Sequence, residues 1–121
     1  MSIDLNSKDK SGSTGFQWAC QMRKKDVVKI LMENAVTLGI NLDITCINGK
    51  TAFHWACQFG HADVVKIIME KAADLRIDLN RKDKCGNTGY NWACQMRQEE
   101  VVQMIRKNAT NLSIDLSDKA K

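Results

Sequence analysis

The chain contains no proline, so it has neither a rigid Pro-rich linker nor a Pro-rich docking segment. No apolar run approaches the roughly 18 residues that a membrane-spanning helix needs. The opening residues, MSIDLNSKDK, lack the apolar stretch of a secretory signal. Cysteine is limited to five residues, an odd number, and three of them fall at equivalent places in a repeat. Without an export signal they read as free thiols in a reducing compartment. The expected location is therefore the cytosol, or the nucleus if a partner takes the chain there. Charge of either sign is not concentrated: 18 basic and 14 acidic side chains leave a net +4. A nucleic-acid binder usually shows a clustered basic face, so the net charge alone decides little. Arg23-Lys24-Lys25 and Arg106-Lys107 form separate patches that read as solvated faces rather than a phosphate track, and nucleic acid is disfavoured as a partner. No Ser–His–Asp set, carboxylate pair or Gly-rich phosphate loop can be assembled, so no enzyme activity and no cofactor are expected.

What is present is a repeat. Trp18, Trp55 and Trp92 are spaced 37 residues apart, as are Thr14, Thr51 and Thr88, and Gly12, Gly49 and Gly86. The Ala-Cys-Gln triplets beginning at Ala19, Ala56 and Ala93 keep the same period, as do the Val-Val pairs beginning at Val27, Val64 and Val101. Ile-x-Leu motifs begin at Ile3, Ile40, Ile77 and Ile114. Aligning 3–39 with 77–113 gives 21 identities in 37 positions, and with 40–76 gives 18, which chance does not produce.

Each unit reads as hairpin, helix, helix. Asp9-Lys10-Ser11-Gly12 and Asp83-Lys84-Cys85-Gly86 suit a type I turn, with Asp first and Gly fourth. Thr14 is placed as an N-cap, and Gln17 three residues later completes a capping box. A second helix begins near Lys25, with Asp26, Asp63 and Glu100 in its first turn, where the helix dipole favours negative charge. Val28, Leu31, Ala35 and Leu38 then mark one helical face, repeated as Val65, Ile68, Ala72, Leu75 and Val102, Ile105, Ala109, Leu112. Neither helix can bury its stripe alone, and about three stacked units are the minimum for a stable array.

Thr51-Ala52-Phe53-His54-Trp55-Ala56-Cys57, then Gly60-His61 and Val64-Val65, resembles the ankyrin signature, whose T-P-L-H-x-A pattern is met at Thr51, His54 and Ala56. The resemblance runs from Ile3 to Leu116. It implies an all-α solenoid: a single domain over 1–121, an ankyrin-type stack of helix–turn–helix units with short β-hairpin loops. The repeats fall at about 3–39, 40–76 and 77–113, followed by a residual hairpin segment at 114–121. Three departures stand out. The period is 37 rather than about 33, and because Leu38, Leu75 and Leu112 keep phase, the added turn belongs to the second helix. Gly15 and Gly89 replace the family's Pro or Ala, and Gln17 and Asn91 replace its His. Arg23 and Arg97 stand where Gly60 makes the inter-helix turn. Either they take a left-handed conformation at about 1–2 kcal/mol of strain, or that turn differs in the outer units.

The resemblance further implies a non-catalytic protein–protein interaction module. Its partner-facing positions would lie at the hairpin tips (Lys10, Ser11, Ser13; Ile47, Asn48, Lys50; Lys84, Cys85, Asn87) and late in the first helix (Gln21, Met22; Gln58, Phe59; Gln95, Met96). Met22, Phe59 and Met96 share one phase and either form an apolar ridge about 20 Å long, given helix spacings of 8–10 Å, or tuck under the next repeat. Trp18, Trp55, Trp92 and the cysteines at 20, 57 and 94 are expected in the core. His54, Cys57 and His61 lack the fourth ligand of a structural zinc site, so no metal is expected. The partner is an unidentified protein. The competing readings are a self-associating fragment of a longer array, joined through uncapped stack ends, and a designed, consensus-like scaffold.

Overall fold

The computed structural model describes residues 7–10 and 12–117. Seven helices lie along them: α1 (Gly15–Gln21), α2 (Lys25–Glu33), α3 (Ala35–Leu38), α4 (Ala52–Gln58), α5 (Ala62–Leu75), α6 (Gly89–Gln95) and α7 (Glu99–Leu112). α1, α4 and α6 pack side by side in one layer, while α2, α5 and α7 form the second. The first-layer helices have 7 residues each, whereas α5 and α7 have 14. The second helix thus has the length to hold the additional turn. In the first unit it is interrupted at Asn34, whose side-chain amide donates to the Ile30 carbonyl at 2.8 Å.

Short helices need strong ends. Each first-layer helix starts in a complete capping box: Thr14 with Gln17, Thr51 with His54, Thr88 with Asn91. Each ends in a Schellman-type turn, in which the amide of the third residue past the helix reaches back to an alanine carbonyl. These bonds are Lys24 to Ala19, His61 to Ala56 and Gln98 to Ala93, at 2.8, 3.0 and 2.9 Å. The second-layer helices close alike, from Ile40, Ile77 and Ile114 to Ala35, Ala72 and Ala109, all at 2.9 Å. Such a turn needs one residue in the left-handed region. Gly39 and Gly60 supply it freely, but Arg23, Arg76, Arg97 and Ser113 also adopt it, with φ between 54° and 58°. Of the two conformations open to Arg23 and Arg97, the strained one is present.

Short β-hairpins were expected, but there are no strands among the described residues. Each loop is closed by two backbone bonds, such as Cys46 N–H to Lys50 O at 2.9 Å and Gly49 N–H to Cys46 O at 2.8 Å. Neighbouring loop tips touch through their backbones. The Lys84 amide donates to the Asn48 carbonyl at 3.0 Å, and a side chain at Gly49 would meet the Lys84 nitrogen at 3.0 Å.

The core follows from stacking. In the first unit the second-layer helix buries Val28, Met32 and Ala35, on the side facing the second unit. In the third unit it buries Val101, Val102, Ile105 and Ala109. The middle helix, with neighbours on both sides, buries both sets: Val64, Val65, Ile68, Met69 and Ala72, together with Ala62. Leu38, expected on the buried stripe, is exposed, on the flank of the first unit that faces away from the second, while Leu75 and Leu112 pack against the core.

Candidate functional site

The third residue of each first-layer helix links its unit to the chain that follows. Gln17 accepts the Thr14 amide at 3.1 Å and donates to the carbonyls of Lys50, at 3.0 Å, and Ile44. His54 repeats this with its ring: Nδ1 accepts the Thr51 amide at 3.0 Å and Nε2 donates to the Asn87 carbonyl at 2.9 Å. Asn91 accepts the Thr88 amide at 3.0 Å and donates to the Ser117 carbonyl at 2.8 Å. Accepting at Nδ1 fixes the Nε2–H tautomer of His54. Burial pushes its pKa down, against the pull of the Asn87 carbonyl, so the ring is neutral at physiological pH. Both nitrogens are committed, which leaves His54 unable to serve as a base toward Cys57. Burial also pushes the thiols of Cys20 and Cys57 upward, away from nucleophilic use. All five cysteines are unpaired. Among the described residues no three His, Cys, Asp or Glu converge as a metal would require.

The tip positions divide. Lys10, Ile47, Asn48, Lys84 and Cys85 are exposed. Ser11 lies outside the described residues. Ser13, Lys50 and Asn87 are buried, and here the expectation of partner-facing side chains is corrected. The closing bond of each loop turns this position inward, beneath the first-layer helix. Lys50 is the extreme case. Its ammonium lies 4.4 Å from the Trp55 ring centre and 4.1 Å from that of Trp92, and donates to Gln58 Oε1 at 2.6 Å. Two indole faces and an amide oxygen replace the water a lysine normally keeps. Asn87 instead accepts a 2.8 Å bond from Gln95 Nε2. Gln58 and Gln95 thus help to hold loop to helix, although Gln95 is still exposed and Gln58 half-buried. Gln21 is half-buried, and its carbonyl accepts from His61 Nε2 at 2.9 Å.

Met22, Phe59 and Met96 are 43 to 47% exposed, one in each unit, on a common line at the ends of α1, α4 and α6. They do not tuck under the next repeat. Phe59 stacks on Trp55, with ring centres 5.7 Å apart. The tryptophans were expected in the core, and this is a second correction: Trp18 is 48% exposed, and Trp55 and Trp92 are half-buried. Trp18 precedes Met22 by four residues, one helical turn, so both lie on the same face. That spacing was the available signal for adding Trp18 to the exposed strip. Cys20 and Cys57 are in the core as expected, but Cys94, in the last of the three units, is only half-buried.

Asp83 clasps the third loop. Burial raises its pKa, but bonds from the Trp92 indole at 2.7 Å and the Asn87 and Cys85 amides at 2.9 Å outweigh that and hold the carboxylate below its ordinary range. Asp9 receives the Ser13 amide at 3.0 Å in the same way. The middle unit has Cys46 at this place, and the Trp55 indole N–H is buried without an acceptor. No helix of the described residues is long and apolar enough to cross a membrane.

The surface made by the loop tips and the first-layer helices is therefore an apolar and aromatic strip bordered by exposed lysines, with its catalytically interesting groups buried and occupied. Comparison with known proteins accords with this architecture. The family profile described as ankyrin repeats (3 copies) matches residues 1–83 and again 36–118. A search of curated proteins returned no significant match. Repeat period, capped helix pairs and profile together show that the chain belongs to the ankyrin repeat family, whose stacks are generally protein–protein interaction modules and typically non-enzymatic.

Proposed function

We propose that this chain is a non-catalytic module of the cytosol that docks a partner protein across the strip formed by Trp18, Met22, Phe59 and Met96 and the adjoining loop tips. The observation that carries this reading is the row of one large apolar side chain per unit, each nearly half exposed, at a single phase of the stack. Monomeric soluble domains scatter such residues singly, and a contiguous set marks a contact surface. Met and Phe are adaptable contact residues, and exposed Lys10 and Lys84 at the tips supply a polar rim. Buried, neutral His54 and buried Cys57 support the absence of catalysis, and five unpaired thiols support a reducing compartment.

The test is a pull-down from lysate with the intact chain as bait, against the Met22→Ala/Phe59→Ala/Met96→Ala variant. The variant should lose the partner while melting within a few degrees of the parent, since exposed truncations cost little. Retention of the partner by the triple variant sinks the assignment, as does outright unfolding, which would make the strip part of the core. Steep, salt-dependent binding of generic DNA or RNA would instead point to nucleic acid.

A further inference from the structure

The fold sorts charges that the sequence mixes. The loops and first-layer helices, with the turns that follow them, span 7–24, 44–60 and 81–98. These segments hold nine lysines and arginines, but Asp9 and Asp83 are their only carboxylates. The second layer and its connections, at 25–43, 61–80 and 99–117, hold seven lysines and arginines against ten carboxylates. Both first-layer carboxylates are turned onto their own loops. Asp9 receives the Ser13 amide, and Asp83 receives the Asn87 and Cys85 amides and the Trp92 indole. Two of the cations are engaged: Arg23 lies 3.2 Å from Asp63, and Arg81 donates to the Asp43 carbonyl at 3.1 Å. Among the others, Lys10 and Lys84 at the loop tips and Lys24 and Arg97 beyond the helix ends are exposed. Lys50 adds charge from beneath, where its ammonium rests on two indole rings and an amide oxygen, all of them uncharged.

We propose that the partner meets this face with an acidic segment that carries bulky apolar side chains, a reading that rests on the docking strip assigned above. Its apolar side chains pack on Trp18, Met22, Phe59 and Met96. Its carboxylates lie beside Lys10 and Lys84 at the tips and Lys24 and Arg97 at the helix ends. A face whose own carboxylates are turned inward keeps its positive field, which draws in an anionic segment and repels a basic one. Nucleic acid would answer the same charge but not the same surface. Base stacking needs open ring faces. The Trp55 ring is stacked on Phe59 and has the Lys50 ammonium over it, and the Trp92 ring shares that ammonium. Exposed thioethers and a phenyl ring suit the apolar side chains of a peptide instead.

Selection of random phage-displayed peptides with the full chain as bait tests it. The enriched peptides should be net negative and contain Leu, Met or aromatic residues. Made synthetically, the tightest of them should bind less well as salt is raised. Lys10→Glu/Lys84→Glu should weaken it by about ten-fold or more. Lys71→Glu/Lys107→Glu, an equal charge change on the second layer, should leave it within about two-fold. All four positions are exposed, and circular dichroism checks that both variants stay folded. Enrichment of neutral or basic peptides, or of none, overturns the proposal. Where such neutral or basic peptides are lost from the Met22/Phe59/Met96 alanine variant, the strip itself stands and only the partner's chemistry is wrong. Acidic peptides that the alanine variant still holds overturn the strip and the proposal together. Tighter binding of mixed-sequence single-stranded DNA than of any enriched peptide overturns it in favour of nucleic acid.

Discussion

Gly15 and Gly89 occupy the same place in their units, and a methyl group should act on them in opposite directions. At Gly15 an added Cβ meets nothing within 4 Å. There Ala gains helix propensity and restricts the unfolded chain, so it should stabilise by about 0.5–1 kcal/mol. At Gly89 the same atom would lie 2.6 and 2.7 Å from two carbons of the Phe53 ring and 3.1 Å from Cys57 Sγ. Carbon atoms prefer about 3.5–4 Å, and both neighbours are buried with little room to retreat. Overpacking of this kind costs about 1–3 kcal/mol. With an unfolding entropy near 2.1 cal/mol/K per residue, 1 kcal/mol moves the Tm of a chain this size by about 4 °C. Thermal melts followed by far-ultraviolet circular dichroism should therefore rise by about 2–4 °C for Gly15→Ala and fall by about 4–12 °C for Gly89→Ala. Ala52 holds the equivalent place in the middle unit, so the helix start itself accepts alanine. Equal shifts of the same sign in the two variants would refute the packing geometry between the second and third units.

The left-handed arginines give a second pair. Arg97→Gly should stabilise by about 0.5–1 kcal/mol, because relief of the strained φ exceeds the entropy of glycine, whereas Gly60→Arg should destabilise by a similar amount or more; urea titration reads both. Cys46→Asp places at the middle loop the carboxylate that Trp92 finds in Asp83, and by giving the Trp55 N–H an acceptor should raise stability by about 1 kcal/mol, seen as a higher Tm. His54 has a pKa lowered by burial, so the unfolded chain takes up a proton near pH 6.5 while the folded chain does not. Stability should fall as pH drops below about 6.5 and be retained above it, and His54→Gln, which copies Gln17, should flatten that part of the pH dependence in urea midpoints compared at pH 7.5 and 5.5.

What could be read in advance was whatever repeats along one strand of chain. The capping boxes at Thr14, Thr51 and Thr88 and the stripe through Val65, Ile68 and Ala72 depend on neighbours three to seven residues away, so their spacing discloses them. The need for glycine at position 89 was illegible because its cause, the Phe53 ring, belongs to the preceding unit. Lys50 was misplaced for a related reason. A lysine at a turn normally faces water, and only the pairing of Trp55 with Trp92 across a junction makes its burial tolerable. The strain at Arg23 and Arg97 was visible as a question, and coordinates were needed to choose between the alternatives. On the binding surface, the ridge residues were legible by phase, whereas Trp18 was missed because the motif that contains it draws attention to the core.

The three indoles occupy one repeated position but have different surroundings, and surroundings govern their light emission. Trp18 is about half exposed and is the most open of the three. Trp55 has a stacked phenyl ring, an ammonium overhead and an N–H without an acceptor. Trp92 shares that ammonium and gives its N–H to a carboxylate. Each unit thus carries an intrinsic optical label of its own. Variants that keep a single tryptophan can report which segment of the stack opens first, with no dye attached.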